Sequence, residues 1–223
     1  MKLQEYPDRD FLMMRAADQI AGDLRSALGH EERVSFAVPG GTTPGPVFDI
    51  LSGVDLDWDR IDVIPTDERW VPETSERSNA RLIRSRLLTG RAAAARFQPL
   101  GRDNPVPEAA LDGVNAAITP LLPLDVALLG MGEDMHFASL FPGAGGLDAA
   151  LSPRAAAVMP IRIPGEDEVR VTLTLPVLAA AMKIHLLITG GAKRDALLRA
   201  RELGLAEAPV SGVLANAIVH WAE

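Results

Sequence analysis

The sequence contains no cysteine, which excludes a disulfide framework, a thiolate nucleophile and cysteine-ligated zinc and makes a reducing cytoplasm the simplest compartment. No run of about 18 apolar residues occurs, so no membrane span is expected. The N-terminal stretch MKLQEYPDRD lacks the apolar core of a signal peptide. Aromatic residues make up only 4% of the chain, too few for a base-stacking surface. Basic residues are outnumbered, 22 Lys plus Arg against 30 Asp plus Glu, and the formal net charge of −8 has the wrong sign for gripping nucleic acid nonspecifically. Neither nucleic acid nor membrane is an expected partner, and an anionic ligand needs a local cationic pocket. What is present is a chain of 223 residues, 48% hydrophobic, enough for a sizeable core in one domain spanning 1–223 and too little for two comfortable ones.

Periodicity organises the chain. After Asp10, the residues Leu12, Met13, Ala16, Ile20, Leu24 and Leu28 share one helical face that Gly29 stops, predicting a helix over about 10–28. Val34, Phe36 and Val38 alternate and run into Pro39-Gly40-Gly41, the pattern of a strand entering a glycine turn. Ile61–Ile64 reads as a second strand, Ser78 caps a helix through Leu82, Ile83 and Leu87, and Asp125–Leu129 is a buried strand ending at Gly130-Met131-Gly132. Val169–Leu175 alternates, and His185–Thr189 is an apolar strand followed by Gly190-Gly191 and a helix through Leu197 and Leu198. Interleaved strands and helices predict an α/β fold, a mostly parallel, Rossmann-like doubly wound sheet with helices on both faces. The segment from Gly101 to Pro107 reads as a surface loop, too short for a domain linker.

In such a sheet ligands bind beyond the carboxyl ends of the strands, which singles out four turns. These are Pro39-Gly40-Gly41-Thr42-Thr43-Pro44-Gly45, Thr66-Asp67-Glu68-Arg69, Gly130 to Phe141, and Gly190-Gly191-Ala192-Lys193. The first offers open backbone N–H groups, two hydroxyls and a helix start beyond, all suited to an anion, although glycine turns also serve plain chain reversal. It is not a P-loop, because Pro46 stands where the lysine must be. Gly130-Met131-Gly132 continues to Met135 where a dinucleotide fingerprint needs a third small residue.

Asp134-Met135-His136 carries the sharpest chemistry. Histidine titrates near neutrality, and a carboxylate two residues away can orient or polarise its ring, which is general-base equipment; the bland alternative is a structural loop histidine. His30, His185 and His220 read as structural or surface residues. One loop histidine with scattered carboxylates lacks the clustering of a zinc or two-metal centre, so no metal or cofactor is expected, magnesium on Asp67 and Asp134 being the one metal reading left open. Neither Ser139 nor Ser211 lies in a Gly-x-Ser-x-Gly elbow, which favours an activated water over a covalent serine intermediate.

Together the turns resemble a known family, the 6-phosphogluconolactonases, related in fold to the glucosamine-6-phosphate isomerases. The resemblance rests on Val38-Pro39-Gly40-Gly41-Thr42-Thr43-Pro44, on Thr66-Asp67-Glu68-Arg69-Trp70-Val71-Pro72 with Ser78-Asn79, on Gly130 through His136 to Ser139-Leu140-Phe141-Pro142, on Arg170-Val171-Thr172-Leu173-Thr174, and on Gly190 to Lys193. These segments run in order over most of the chain. One departure is Met135, where the family usually has glycine; either the turn uses an ordinary backbone conformation or Met135 is accommodated by local adjustment.

The resemblance implies hydrolysis of 6-phosphoglucono-δ-lactone to 6-phosphogluconate, in the pentose phosphate pathway or the Entner–Doudoroff route. It assigns the base to His136 with Asp134 beside it, and the phosphate to the Gly40-Gly41-Thr42 turn with help from Arg170 and Lys193; Arg69 is a further cation, and Asp67 a further substrate contact. Two alternatives stand beside it. An amino sugar phosphate isomerase or deaminase shares the fold, but has a Glu where this chain has Phe141 before Pro142. A noncatalytic sugar-phosphate sensor would need a DNA-binding module for which 223 residues leave no room.

Overall fold

The computed structural model describes residues 1–101 and 107–223; most of the loop expected over 101–107 lies outside the described residues. A seven-stranded sheet forms the middle layer. Its strands, β1 (Lys2–Glu5), β2 (Val34–Val38), β3 (Ile61–Pro65), β5 (Arg96–Phe97), β6 (Val126–Gly130), β9 (Lys183–Thr189) and β10 (Ala217–Ala222), lie in the order β1-β10-β9-β6-β2-β3-β5. Every pair in it is parallel. This is the α/β architecture that the interleaved pattern predicts.

Helices α1 (Arg9–Leu28), α2 (Gly45–Ser52) and α3 (Asn79–Arg86) cover one face, and α4 (Pro107–Ile118), α5 (Leu147–Leu151), α6 (Leu175–Ala179), α7 (Gly191–Ala200) and α8 (Ser211–Leu214) pack on the other. The alternation in β2 explains the two cores. Phe36 and Val38 meet Leu12, Leu24, Phe48 and Ile83 on the first face. Ala37 points the other way, into the core that holds Val114, Leu129 and Leu197. All five residues of β2 are therefore buried, as a strand covered on both sides requires.

Local chemistry sets the boundaries. The first helix starts at Arg9, one residue before the expected boundary, because Asp8 caps it, its carboxylate accepting from the Phe11 N–H at 2.7 Å. Gly29 ends it with φ of −73°, an ordinary helical value rather than a left-handed one. Ser78 caps α3 as expected, its hydroxyl accepting from the Arg81 N–H.

The residues expected as an alternating strand at 169–175 leave the main sheet. Arg170–Leu173 (β8) forms a small antiparallel sheet with Asp67–Arg69 (β4) on one side and Val158–Ile161 (β7) on the other. Asp67 pairs with Thr172 and Arg69 with Arg170, so this sheet sets one of the four singled-out turns, the one after β3, beside Arg170.

β2 and β6 are adjacent, yet the chain leaves them toward opposite edges, making their carboxyl ends a topological switch point. Their register is pinned at the other end, where Asp125 accepts from the Ser35 backbone N–H (2.7 Å) and hydroxyl (3.0 Å), and the Asp125 N–H donates to the same hydroxyl. His185 and His220 sit fully buried on neighbouring strands in a polar chain: Asp23 Oδ2 to His185 Nε2, His185 Nδ1 to His220 Nε2 and His220 Nδ1 to the Tyr6 hydroxyl, each 3.0 Å. His30 lies at the surface, 2.8 Å from the Ser26 carbonyl. None of the three lines the cleft at the switch point. No helix among the described residues is long and apolar enough to cross a membrane.

Candidate active site

A cleft of about 210 Å³ opens at the switch point, lined by residues from all four turns. Gly40, Gly41, Asp67, Arg69, His136, Arg170 and Lys193 all border it. Thr42 does not: it is exposed, and Thr43 takes the place in the lining that Thr42 was expected to fill. The first turn is glycine-rich for a steric reason. A side-chain carbon on Gly40 would sit 1.9 Å from Asn79 Oδ1, and Gly41 takes a φ of +84°, open to glycine at little cost.

His136 is held from several directions. Its Nδ1 is 2.5 Å from Asp134 Oδ1, and the same oxygen accepts from the His136 backbone N–H at 3.3 Å. A proton on Nδ1 shared with the carboxylate leaves Nε2 as the basic nitrogen, and Nε2 has no partner among the described residues. The turn closes through Gly132 N–H to the His136 carbonyl (3.0 Å) and Met135 N–H to the Gly132 carbonyl (3.0 Å). Gly132 is required here, because a Cβ would approach His136 Nδ1 to 2.2 Å. Met135 takes a φ of +67°. This settles the alternative posed by its sequence: the turn keeps the glycine-like conformation, and the methionine adopts it while its side chain packs against the core. The imidazole lies flat on the Phe141 ring, with centroids 3.9 Å apart and planes 20° from parallel.

The second turn supplies a fixed carboxylate. Asp67 is buried; Ser139 Oγ donates to its Oδ2 at 2.6 Å and Thr66 Oγ1 to its Oδ1 at 3.1 Å. Next to it, Glu68 is a brace for α3. Its carboxylate accepts from the backbone N–H groups of Asn79 and Ala80 (both 2.7 Å) and Arg69 (2.9 Å) and from the Ser78 hydroxyl (3.0 Å). Burial pushes its carboxyl up, opposed by those hydrogen bonds. Asn79 in turn donates to the Asp67 carbonyl at 2.8 Å, fixing the amide that packs on Gly40.

Cations cluster across the cleft. The Arg170 side chain is only 10% exposed and pairs with Glu166 at 3.0 Å. Arg69 donates from Nη1 to the Arg77 carbonyl. The Nε atoms of both arginines are buried without a partner, donor capacity that an anionic ligand would satisfy. Lys193 lies in the first turn of α7, with no ion pair among the described residues. This is a local cationic pocket in a chain of net charge −8. Among the described residues no three His, Asp or Glu side chains group as a metal would require.

The sequence profile of the family described as glucosamine-6-phosphate isomerases/6-phosphogluconolactonase matches residues 7–221. The chain belongs to that family. The 6-phosphogluconolactonase of Caulobacter vibrioides is 39% identical over 100% of this chain and 98% of its own length. That of Pseudomonas aeruginosa is 44% identical over 82% of this chain and 78% of its own. The crystal structure of a 6-phosphogluconolactonase from Shewanella baltica superposes with a TM-score of 0.96 at 30% identity, covering 100% of this chain and 98% of that one.

Within this family fold, several site residues carried no signal that sequence reasoning used. Asn79 and Ser139 lie within motifs shared with the family, and their partners, Gly40 and Asp67, are far away in sequence. Asn79 directly follows the helix-capping Ser78, a place where a polar side chain is ordinarily read as part of the cap. The contact between Phe141 and His136 depends on a turn whose course the sequence does not specify.

Proposed function

We propose that this chain is a 6-phosphogluconolactonase, hydrolysing 6-phospho-D-glucono-1,5-lactone to 6-phospho-D-gluconate, as its relatives' names describe. The observation that carries the mechanism is the Asp134–His136 pair, 2.5 Å apart, on a cleft that also holds Arg69, Arg170 and Lys193. His136 Nε2 takes a proton from water as the oxygen attacks the lactone carbonyl. The tetrahedral intermediate then collapses, the bond from the carbonyl carbon to the ring oxygen breaks, and the imidazolium returns the proton to that oxygen. Asp134 holds the tautomer and stabilises the imidazolium between the two transfers. No covalent enzyme intermediate is needed. Backbone N–H groups of the glycine turns, or one of the cations, stabilise the oxyanion.

The phosphate dianion belongs at the cationic side, between the Gly40-Gly41 turn and Arg170 with Lys193, Arg69 serving as a further donor. Asp67, pinned by Ser139 and Thr66, faces the cleft as an acceptor for sugar hydroxyls. In this reading residues 1–223 work as one domain, in the cytoplasm, on a small sugar phosphate, with no cofactor and no nucleic-acid partner. The deaminase alternative is weakened by Phe141, which places an apolar ring against the histidine where that chemistry has a carboxylate. The deciding assay is lactone hydrolysis by the purified protein: the proposal expects turnover of the phosphorylated lactone, and binding of 6-phosphogluconate without turnover would mark a sensor instead.

A further inference from the structure

His136 is fixed at Nδ1 by Asp134, but one hydrogen bond to a carboxylate leaves the ring free to swing about the axis through that contact. The torsion that sets the plane of an imidazole is intrinsically broad. The histidine side chain is 27% exposed, so water borders it where protein does not. The Nδ1–Cε1 edge occupies the space that a side chain at Gly132 would fill. The remaining face lies on Phe141, at 3.9 Å and 20° from parallel.

Phe141 is itself well held. It packs against the core, its carbonyl accepts from the Ala144 N–H at 3.1 Å, and the Arg170 guanidinium sits 5.2 Å from the ring centroid. The ring can donate no proton and accept none, so its contribution is geometric.

We propose that Phe141 is a positioning residue for the reaction: a flat platform that selects the plane of the His136 imidazole and so aims Nε2 at the attacking water. This rests on the reading of His136 as the base. Asp134 sets which nitrogen carries the proton, and Phe141 sets where the other points. A displacement of about 1 Å in a reacting group costs on the order of a hundredfold in rate, so a platform that removes only part of that freedom has a measurable effect. Tyrosine or tryptophan at 141 preserves a flat face, whereas leucine preserves apolar bulk without one.

The test compares Phe141→Leu, Phe141→Tyr and Phe141→Trp with wild type and with His136→Ala, each checked for folding by its thermal transition. Turnover is measured on the phosphorylated lactone and on glucono-δ-lactone, and the His136 ring protons are followed by NMR. Phe141→Leu is expected to lower kcat about tenfold on both substrates while 6-phosphogluconate affinity holds. The aromatic variants should stay within about threefold of wild type. The ring-current displacement of the His136 protons should vanish in Phe141→Leu and persist in Phe141→Trp. Wild-type kcat in Phe141→Leu, or equal losses in the leucine and aromatic variants, would overturn the proposal. If His136→Ala alone is inactive, only the role of Phe141 falls; if His136→Ala also turns over normally, the base assignment falls with it.

Discussion

The buried Ser139 hydroxyl donates to Asp67 Oδ2 at 2.6 Å, tying the loop after β6 to the start of β4. This bond holds the histidine loop against β4. Ser139→Ala leaves a buried carboxylate oxygen without its donor, which costs about 1–3 kcal/mol. A matching fall in the urea midpoint, with reduced kcat/KM on the lactone, is expected. Unchanged stability would mean that this contact does not hold the loop against the strand.

The positive φ of Met135, +67°, predicts a graded response to substitution. A β-branched side chain is far less tolerant of that region than an unbranched one. Met135→Ile should lose about 1–3 kcal/mol and activity with it, because the same turn carries His136. Met135→Gly should retain activity, its relief of backbone strain offset by lost packing and greater unfolded-state freedom. Denaturation midpoints and kcat for the two variants check this; an isoleucine variant as stable as wild type would contradict it.

The buried histidine pair predicts acid sensitivity. His220 is pushed down from 6.5 to about 3, first by burial and then by the neighbouring His185. Between those values the unfolded chain binds a proton that the folded chain refuses, so stability rises with pH across the window and drains away as pH falls through it. The His185 hydrogen bond holds the Asp23 carboxyl below its usual range, adding a loss at still lower pH as that carboxylate protonates. Unfolding free energy measured from about pH 6.5 down to about pH 3 should fall more steeply for wild type than for His220→Gln, by a slope of up to one proton. Parallel curves for the two proteins would refute this account of the pair.

Much of this structure is legible in the residues because both faces of the sheet are buried. The apolar strands β2, β3, β6 and β9 stand out, and the glycines at the ends of β2 and β6 line the cleft. The small antiparallel sheet is not legible, since β4 is only Asp67-Glu68-Arg69, a charged triplet that becomes a strand only when Arg170–Leu173 pairs with it. The exchange of Thr42 for Thr43 follows from the turn's course, with Gly41 at a positive φ, which spacing alone does not encode. The apolar period of the first helix does not mark its cap, Asp8, whose role rests on a hydrogen bond to the Phe11 N–H. Phe141 looks like an ordinary core residue until the loop folds it under His136.

The cationic side of the cleft predicts a split by substrate. With Lys193 at the phosphate and His136 at the carbonyl, Lys193→Ala should cost about 1.5–3 kcal/mol in kcat/KM on the phosphorylated lactone. The same change should matter little on unphosphorylated glucono-δ-lactone. Part of the loss can fall in kcat, since phosphate binding also positions the carbonyl. Equal losses on both substrates would move Lys193 away from the phosphate.

The central claim is that His136, oriented by Asp134, is the general base. His136→Ala, assayed on the phosphorylated lactone alongside titration with 6-phosphogluconate, tests it most directly. General-base assistance is worth on the order of 10²–10⁴, so kcat should fall about a hundredfold or more while product affinity stays near wild type. Turnover close to wild type in this variant would contradict the assignment.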